Sequence, residues 1–430
     1  MIHLALALVM QRWLVVNDVH LDPFSKSAVV YGADTSPSLW RSAVRAMRAD
    51  VPDARVVILG GDELAHHFRG LARAAGRDPV ASALATEETV AHDLGDAFPR
   101  AQFLVALGNN DDPCGDYRSE VSGPYQERLG RIWAPLVDRN GAAPDFSREF
   151  LQGGYYTARL PIRSGRAIVL NSVLWSFVYA GGCLSKPHDP GAAELTWLQS
   201  RLAALPRDTN AMIVMHIPPG YDPQSTTAVH RFVAVPFLGR ASNAALLRIF
   251  AANARALRFI VAAHTHRYDF RVAGGVPMLI ASSISPIYRN NPAFYVLDVD
   301  ENGVLHDVQP YVYDPGADTW NRAPSFDATY GVRALTRDSL AAVSANLRED
   351  PSLRVKWSAA YDAWSRRVAG IGANWRPYVC AQTELEGGYA GCAGTSRRSR
   401  VLAATVICGL LAFIAVLAWI VMKRRPRRSQ

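Results

Sequence analysis

The sequence predicts an α/β fold in which buried strands alternate with amphipathic helices. The main evidence is a set of five short apolar runs without a polar face, which is typical of strands covered on both sides. A chain of 430 residues is also long enough to bury one large core and to carry appendages. Extended to the polar residues that end them, the runs cover residues 13–20, 56–62, 103–111, 212–216 and 259–266.

Each of these runs ends in side chains that can bind a metal. In open α/β sheets, ligands collect beyond the carboxyl ends of the strands. In the first and last runs two such side chains stand two residues apart, so each pair points to one side if the strand geometry persists to the end of the run. We therefore predict a metal centre whose candidate ligands are Asp18, His20, Asp62, Asn109, His216, His264 and His266.

Capping and turn signals predict the elements between and after the runs. A helix over residues 37–49 follows the candidate caps Asp34, Thr35 and Ser36, and Pro37 suits its first turn. Apolar periodicity predicts the other elements. Further helices are expected over residues 86–98, 124–137 and 192–205, and further strands over residues 167–170, 276–282, 293–299 and 304–312.

Three later stretches bear on the surroundings of the centre. Trp175, Phe177 and Tyr179 follow the strand expected at 167–170, and they either line a substrate cleft or belong to the core. The loop over residues 220–240 is long enough to overhang the site. Residues 325–378 have a helical pattern with three tryptophans, which indicates a small packed subdomain.

The order of these motifs resembles a known family. Asp-x-His, Gly-Gly-Asp, Gly-Asn-x-Asp, His and His-x-His follow one another as in the calcineurin-like metallophosphoesterases. Two further stretches, residues 216–222 and 283–294, resemble the acid sphingomyelinase-like phosphodiesterase branch. The resemblance extends over residues 12–313 and more loosely to residue 392. It implies a four-layer αββα sandwich with a C-terminal helical subdomain.

The same resemblance implies two divalent metal ions. One would be held by Asp18, His20 and His266. The second would be held by Asn109, His216 and His264, with the Asp62 carboxylate bridging both. The mixed nitrogen and oxygen ligands suit Zn²⁺, Mn²⁺ or Fe, and the branch implies zinc. Two such ions about 3.5–4 Å apart clamp a phosphoryl group and turn a shared water into hydroxide.

The residue expected to protonate the leaving group differs from the one usual in the family. The family usually has a histidine after the amide ligand, but Asn110 stands there, and an amide cannot act as a general acid at neutral pH. His66 matches a histidine that the branch has four residues after the bridging aspartate, so it is the candidate acid. His66, Asn110 and Tyr288 are the candidate substrate-binding residues.

The resemblance therefore predicts a metal-dependent phosphodiesterase. Its substrate would be a phospholipid head group such as sphingomyelin, or a nucleotide derivative. One alternative is a phosphomonoesterase or polyphosphatase on the same metals. Another is a catalytically inactive, membrane-tethered binding module, although all seven ligand positions are filled.

The charge distribution argues against a nucleic-acid partner. The formal charge is +8, but eight basic residues flank the segment 401–422, and the remaining 38 basic residues equal the 38 acidic ones. That segment has no ionisable side chain except Cys408. As a helix it would span about 33 Å, which is enough to cross a bilayer. We therefore predict a membrane anchor.

The basic residues also predict the orientation of this anchor. Five follow the segment and three precede it, which favours a cytoplasmic tail at 423–430 and a body outside the cytoplasm, periplasmic or extracellular. Residues 1–11 form a weak signal-like leader or lead into the first strand. The competing arrangement is a tail-anchored protein with its enzyme in the cytosol. The body would comprise a catalytic domain at 12–313 and a helical subdomain at 314–395.

Cysteine positions favour the oxidising side of a membrane. Cys380 and Cys392 could close one disulfide, and Cys114 and Cys183 a second. Four cysteines allow three pairings, and spacing alone does not choose between them. Free buried thiols are the alternative.

Overall fold

All five apolar runs form strands in the computed structural model, which describes residues 10–183, 189–228, 233–368 and 370–395. The strands in these residues are β1 (Met10–Val16), β2 (Val56–Leu59), β3 (Gln102–Val105), β4 (Tyr156–Arg159), β5 (Gly165–Val169), β6 (Asn210–Val214), β7 (Tyr221–Asp222), β8 (Val235–Pro236), β9 (Leu257–Ala262), β10 (Asp269–Ala273), β11 (Val276–Ile280), β12 (Ala293–Asp300), β13 (Leu305–Asp314) and β14 (Thr319–Arg322). The α/β prediction is confirmed.

The helices lie mainly between these strands and after them. They are α1 (Pro37–Asp50), α2 (Phe68–Ala74), α3 (Pro79–Ala97), α4 (Pro124–Val137), α5 (Phe146–Gly153), α6 (Pro190–Ala203), α7 (Pro223–Ala228), α8 (Arg240–Asn253), α9 (Phe326–Tyr330), α10 (Arg337–Glu349), α11 (Pro351–Tyr361), α12 (Trp375–Thr383) and α13 (Tyr389–Ala393).

Two mixed six-stranded sheets form the centre of the fold. The first has the order β14-β13-β12-β1-β2-β3, in which β1, β2 and β3 are parallel and the other neighbours antiparallel. The second has the order β10-β11-β9-β6-β5-β4, with a parallel middle from β11 to β5. The parallel strands bring their carboxyl ends, and the candidate ligands, to one edge of each sheet.

The side chains of β6 show how the layers pack. Met212 and Val214 belong to the core shared with β1 and β2 of the first sheet, while Ile213 and Met215 pack with α6 and α8. Successive side chains of a strand point to opposite faces, so β6 has a sheet on one side and helices on the other. Helices α3 and α4 cover the far side of the first sheet. The layers thus run helix, sheet, sheet, helix.

Helix starts follow the capping chemistry of the sequence. Ser36 caps α1 by accepting a hydrogen bond from the Leu39 N–H. The expected start of the next long helix at residue 86 is wrong, because α3 already begins at Pro79, where the Asp78 carboxylate caps it. The pair Asp78-Pro79 was the sequence signal for the start of this helix.

The C-terminal region is helical but is not separate from the sheets. Strand β14 extends the first sheet beyond residue 313, and α10 and α12 pack against β10 of the second sheet. Among the described residues, no helix combines the length and the apolar character needed to cross a bilayer. The predicted anchor 401–422, the tail 423–430 and residues 1–9 of the predicted leader lie outside the described residues.

The structure brings the cysteines together in the pairs that the sequence suggested. The Cα atoms of Cys114 and Cys183 are 5.7 Å apart, and those of Cys380 and Cys392 are 5.9 Å apart. Both separations fall in the usual range for a disulfide.

We expect one cysteine of the five to react with an alkylating agent in the denatured, unreduced chain, because four are held in disulfides. After reduction all five should react, and intact mass counts the adducts in both states. Five adducts before reduction would mean that the pairs are free thiols.

Candidate dimetal centre

Five candidate ligands share an unusual backbone conformation. Strand β1 ends at Val16 and β9 at Ala262, so the expectation that strand geometry persists through the paired ligands is wrong. Their side chains converge instead because alternate residues adopt left-handed φ, which costs a non-glycine residue about 1–3 kcal/mol. The five residues with positive φ are Asp18 (46°), His20 (44°), Asp62 (63°), His264 (70°) and His266 (53°).

One half of the centre lies between the ends of β1 and β9. His20 Nε2 is 3.2 Å from His266 Nε2 and 3.3 Å from Asp62 Oδ2. An Asp18 carboxylate oxygen lies 3.6 Å from His266 Nε2. All four side chains are buried. This half matches the set expected for the first metal.

The second half lies beside it, at the ends of β3 and β6. His216 Nε2 is 3.0 Å from Asn109 Oδ1, 3.2 Å from His264 Nδ1 and 3.3 Å from Asp62 Oδ2. The same oxygen of Asp62 is thus equally close to a histidine in each half. The seven predicted ligands therefore come together, and the Asp62 carboxylate lies where it can serve both halves.

The donor chemistry of these groups fits cations. His20 Nδ1 must donate to the Leu64 carbonyl oxygen, 2.9 Å away, so a lone pair of His20 Nε2 faces His266. His266 Nδ1 is buried and has no hydrogen-bond partner among the described residues. Asn109 Nδ2 donates to Asp116, which turns its carbonyl oxygen toward His216. Converging lone pairs need positive charge between them, and two divalent metal ions supply it.

Burial sets the protonation of most of these histidines. It lowers the pKa of His20 to about 4 and that of His264 to about 3, and it holds the pKa of His266 well below its ordinary value. These imidazoles are therefore neutral and ready to ligate at neutral pH.

The pKa values of Asp18 and His216 are shifted in the opposite direction, upward. Burial raises the pKa of Asp18 to about 8. For His216 burial acts to lower the pKa, but the nearby carboxylates of Asp62 and Asp18 outweigh it and raise the value to about 9. A cation between His216 and Asp62 displaces that proton, so metal binding is coupled to proton release.

The loops that carry the ligands are tied together by Asp111, the last residue of the Gly-Asn-x-Asp motif. Its carboxylate accepts hydrogen bonds from the N–H groups of Gly108, Asp62 and Glu63 at 2.7–2.8 Å. A Cβ at Gly108 would collide with the Asp62 carboxylate, so this approach requires a glycine. These contacts fix the backbone of Asp62, the candidate bridging ligand.

Asn110 also contacts the bridging ligand. Its N–H donates to Asp62 Oδ1 at 2.7 Å, and its Nδ2 donates to Asp62 Oδ2 at 3.0 Å. The side chain that replaces the usual histidine thus orients a candidate metal ligand. Its predicted contact with substrate stays a prediction.

His66 lies against the centre from the side of β1. Its ring stacks on that of His20 with centroids 4.0 Å apart, and Tyr288 meets it edge-on at 6.2 Å. Asp34 holds it twice, because one carboxylate oxygen accepts from His66 Nδ1 at 2.9 Å and the other from the His66 N–H at 2.8 Å. Ser285 donates to the same carboxylate at 3.2 Å.

Asp34 is the residue that sequence reasoning missed. It was considered only as a helix cap, and Ser36 takes that role. An acidic residue two positions before a confirmed cap was the available signal, although its partner His66 stands 32 residues later in the chain.

The cleft beside the centre is lined by other aromatics than those expected. A cavity of about 320 Å³ adjoins His264 and is lined by Tyr117, Asp222, Phe237, Tyr288 and Tyr361 among others. Trp175 is a core residue, 2% exposed, and the Phe177 side chain faces outward. The 220–240 segment contributes Asp222 and Phe237 to this lining, and its residues 229–232 lie outside the described residues.

Two mixed sheets with seven candidate metal ligands gathered at their edges fit a metal-dependent phosphoric ester hydrolase, and the family match below assigns the chain to that class. The chain belongs to the calcineurin-like phosphoesterase family, whose model matches residues 12–268.

The chain is also similar to individual proteins. The chain is 27% identical over 326 residues to sphingomyelinase phosphodiesterase D of Dictyostelium discoideum, which covers 70% of this chain and 67% of the relative. Among solved structures it is similar to a dimetal phosphatase from Danio rerio, with 13% identity, a TM-score of 0.47, and coverage of 76% of this chain and 99% of the other. It is also similar to a purple acid phosphatase from yellow lupin (Lupinus luteus), with 12% identity, a TM-score of 0.44, and coverage of 74% and 54%.

We predict that Asp62→Ala removes at least about one equivalent of metal and abolishes activity, because this carboxylate lies within 3.3 Å of histidines in both halves. Elemental analysis of the purified protein measures the metal, and circular dichroism checks the fold. Asp96→Ala, at an exposed carboxylate on α3, is the matched control and should retain both ions. Two bound ions and full activity in Asp62→Ala would contradict the assignment.

Proposed function

We propose that this protein is a dinuclear zinc phosphodiesterase. The observation that carries the proposal is the position of the Asp34-supported His66 ring directly against the buried metal-ligand cluster. A phosphodiester requires an alkoxide to leave, and this departure needs a proton donor beside the metals. The similarity to a sphingomyelinase phosphodiesterase supports the same choice of substrate class. Histidine-rich ligation with carboxylates and one amide supports zinc, with Mn²⁺ or Fe as the other metals that suit it.

The seven ligand residues would hold the two ions in the sets expected from the sequence. When bound, the ions polarise the phosphoryl oxygens and activate a water for attack on phosphorus. Asp62 would contact both ions, and Asn110 would keep its carboxylate oriented through the two hydrogen bonds that it donates. The buried positions of His20, His216 and His266 would keep bulk water from most of the ligand sphere, while His264 faces the cavity.

His66 would protonate the leaving group. Asp34 accepts from Nδ1, so Nε2 is the nitrogen left to carry the transferable proton. Burial of the ring acts to lower the pKa of His66, but the hydrogen bond and the charge of Asp34 outweigh it and raise the value above normal. A raised pKa favours the protonated imidazole, which is the form that a general acid requires.

The cleft would receive one substituent of the diester. Its tyrosines and Phe237 offer apolar faces, and Asp222 supplies a negative charge at its rim. Tyr288 borders both the cleft and His66, which supports its role in substrate binding. A phospholipid head group such as that of sphingomyelin, or a nucleotide derivative, has suitable size and chemistry.

We also propose that the body lies outside the cytoplasm, held to a membrane by residues 401–422. Two cysteine pairs at disulfide separation support an oxidising compartment. The basic residues after the segment support a cytoplasmic tail.

The proposed substrate class predicts a preference among simple phosphate esters. The zinc-loaded chain should hydrolyse bis-p-nitrophenyl phosphate, a diester, faster than p-nitrophenyl phosphate, a monoester, because one ester group remains to occupy the cleft. Steady-state rates on both, and phosphate release from polyphosphate, provide the measurement. A higher kcat/KM on the monoester or on polyphosphate would identify a phosphatase. No hydrolysis by protein with two bound ions would favour a binding module.

The role of His66 predicts a selective loss of activity. His66→Ala should lose at least about a hundredfold in kcat on an alkyl diester, since general-acid help contributes about 10²–10⁴-fold. On an aryl ester the loss should be much smaller, because a p-nitrophenolate leaves with little help. Asp34→Asn should give the same pattern with a smaller loss.

Two controls make the His66 result specific. His66→Ala and Asp34→Asn must each retain two metal equivalents. His92→Ala, at an exposed histidine on α3, should leave the rates on alkyl and aryl esters unchanged. Equal losses on alkyl and aryl esters would mean that His66 positions the metals or the substrate, and that the proton has another source.

A further inference from the structure

Exposed apolar side chains lie on two segments that pair near the cleft. Phe177 is 52% exposed, Val178 41% and Val233 61%. Their segments are joined, because the Phe177 N–H donates to the Phe237 carbonyl at 3.2 Å, and Ser176 forms a bridge to Leu238. We call the three exposed residues, Phe177, Val178 and Val233, the apolar rim.

The rim borders the substrate cleft. Phe237, which pairs with the backbone of Phe177, lines the cavity with its own side chain. On the other side, the Ala180 N–H donates to the carbonyl of Tyr117, a second cavity residue, at 2.9 Å. The segment that carries Phe177 and Val178 therefore adjoins two residues that line the cavity beside the candidate metal centre.

The chain leaves the described body from the same place. Tyr389 of α13 stacks on Tyr221 with ring centroids 4.3 Å apart, and Ala234, Cys392 and Ala393 all pack against the buried cluster of Cys380, Ala381 and Tyr389. Ala234 is the neighbour of Val233. The last described residue before the predicted anchor follows Ala393 by two positions.

The short connection then limits how far the rim stands from a bilayer. Five residues separate Thr395 from the apolar segment 401–422. Even fully extended, such a connection spans only about 20 Å at 3.3–3.6 Å per residue. The segment that carries Val233 is thus held close to whatever surface the anchor enters.

We propose that the apolar rim docks on the lipid bilayer that holds the chain's own segment 401–422, so that the cleft opens at the membrane surface. Three apolar side chains are too few for a stable protein interface of about 800 Å² per partner, but they suit shallow insertion between head groups. This inference rests on the membrane anchorage in the proposed function, and it gives the enzyme access to phosphodiesters in its own membrane.

The test places a fluorophore on the rim of the full-length chain in phosphatidylcholine vesicles. In a Cys408→Ser background, Phe177→Cys and Val233→Cys are each labelled with a nitrobenzoxadiazole dye. Val355→Cys, at a 71% exposed valine on α11, is the matched control. A lipid with a nitroxide near the head group should quench the dye at 177 and 233 and leave the dye at 355 unchanged. Absence of quenching at the rim, equal quenching at all three positions, or failure of the chain to float with the vesicles would overturn the proposal.

Charged variants separate docking from catalysis. Val178→Asp/Val233→Asp should lose the quenching of the dye at 177, while Val355→Asp should retain it. Both should keep two metal equivalents and an unchanged rate on soluble bis-p-nitrophenyl phosphate. Retained quenching in the double variant would overturn the proposal. A chain that shows the quenching pattern but hydrolyses no diester would instead refute the proposed function alone.

Discussion

The main physical constraint on the structure is that the lone pairs of the candidate metal ligands face one another at short distance. Four histidines, two carboxylates and an amide converge at 3.0–3.6 Å, and burial keeps most of the imidazoles neutral. Such a cluster is unfavourable without positive charge, since buried carboxylates and unpaired acceptors are costly. The left-handed backbone at five of the ligands adds strain. Binding of two divalent ions turns all of these unfavourable features into coordination.

The same region joins the two sheets. Asn17, just after β1, donates to the carbonyls of Ala262 and Ala281 in the second sheet. In the reverse direction His216 Nδ1 donates to the Gly60 carbonyl after β2 at 2.8 Å. These contacts fix the relative position of the sheet edges that carry the two ligand sets. The geometry of the candidate metal centre therefore follows from the packing of the sandwich, because each ligand set has residues from both sheets and a shift of one sheet would pull each set apart.

The sequence was sufficient to predict what depends on local pattern. Buried strands need continuous apolar runs, so β1 and β6 were visible, and metal ligands of fixed type after each strand identified the centre. It was insufficient where a role depends on a distant partner. Nothing near Asp34 shows that it holds His66, and apolar composition alone could not separate Trp175 in the core from Phe177 on the surface. The left-handed backbone conformation of five candidate ligands could not be predicted from the sequence either. Convergence of their side chains overrides the ordinary backbone preference of aspartate and histidine.

The replacement of a histidine by Asn110 explains why the proton source would move. The amide donates to one oxygen of Asp62 and the backbone N–H beside it donates to the other, so this position now stabilises the bridging carboxylate. A protonatable ring is available instead at His66, on the side of the centre formed by His20. Its carboxylate partner is fixed in turn by Ser285, which belongs to the loop after β11. Because Asp34 follows β1 of the first sheet and Ser285 follows β11 of the second, the orientation of the His66 ring is set by the same packing that aligns the candidate metal ligands.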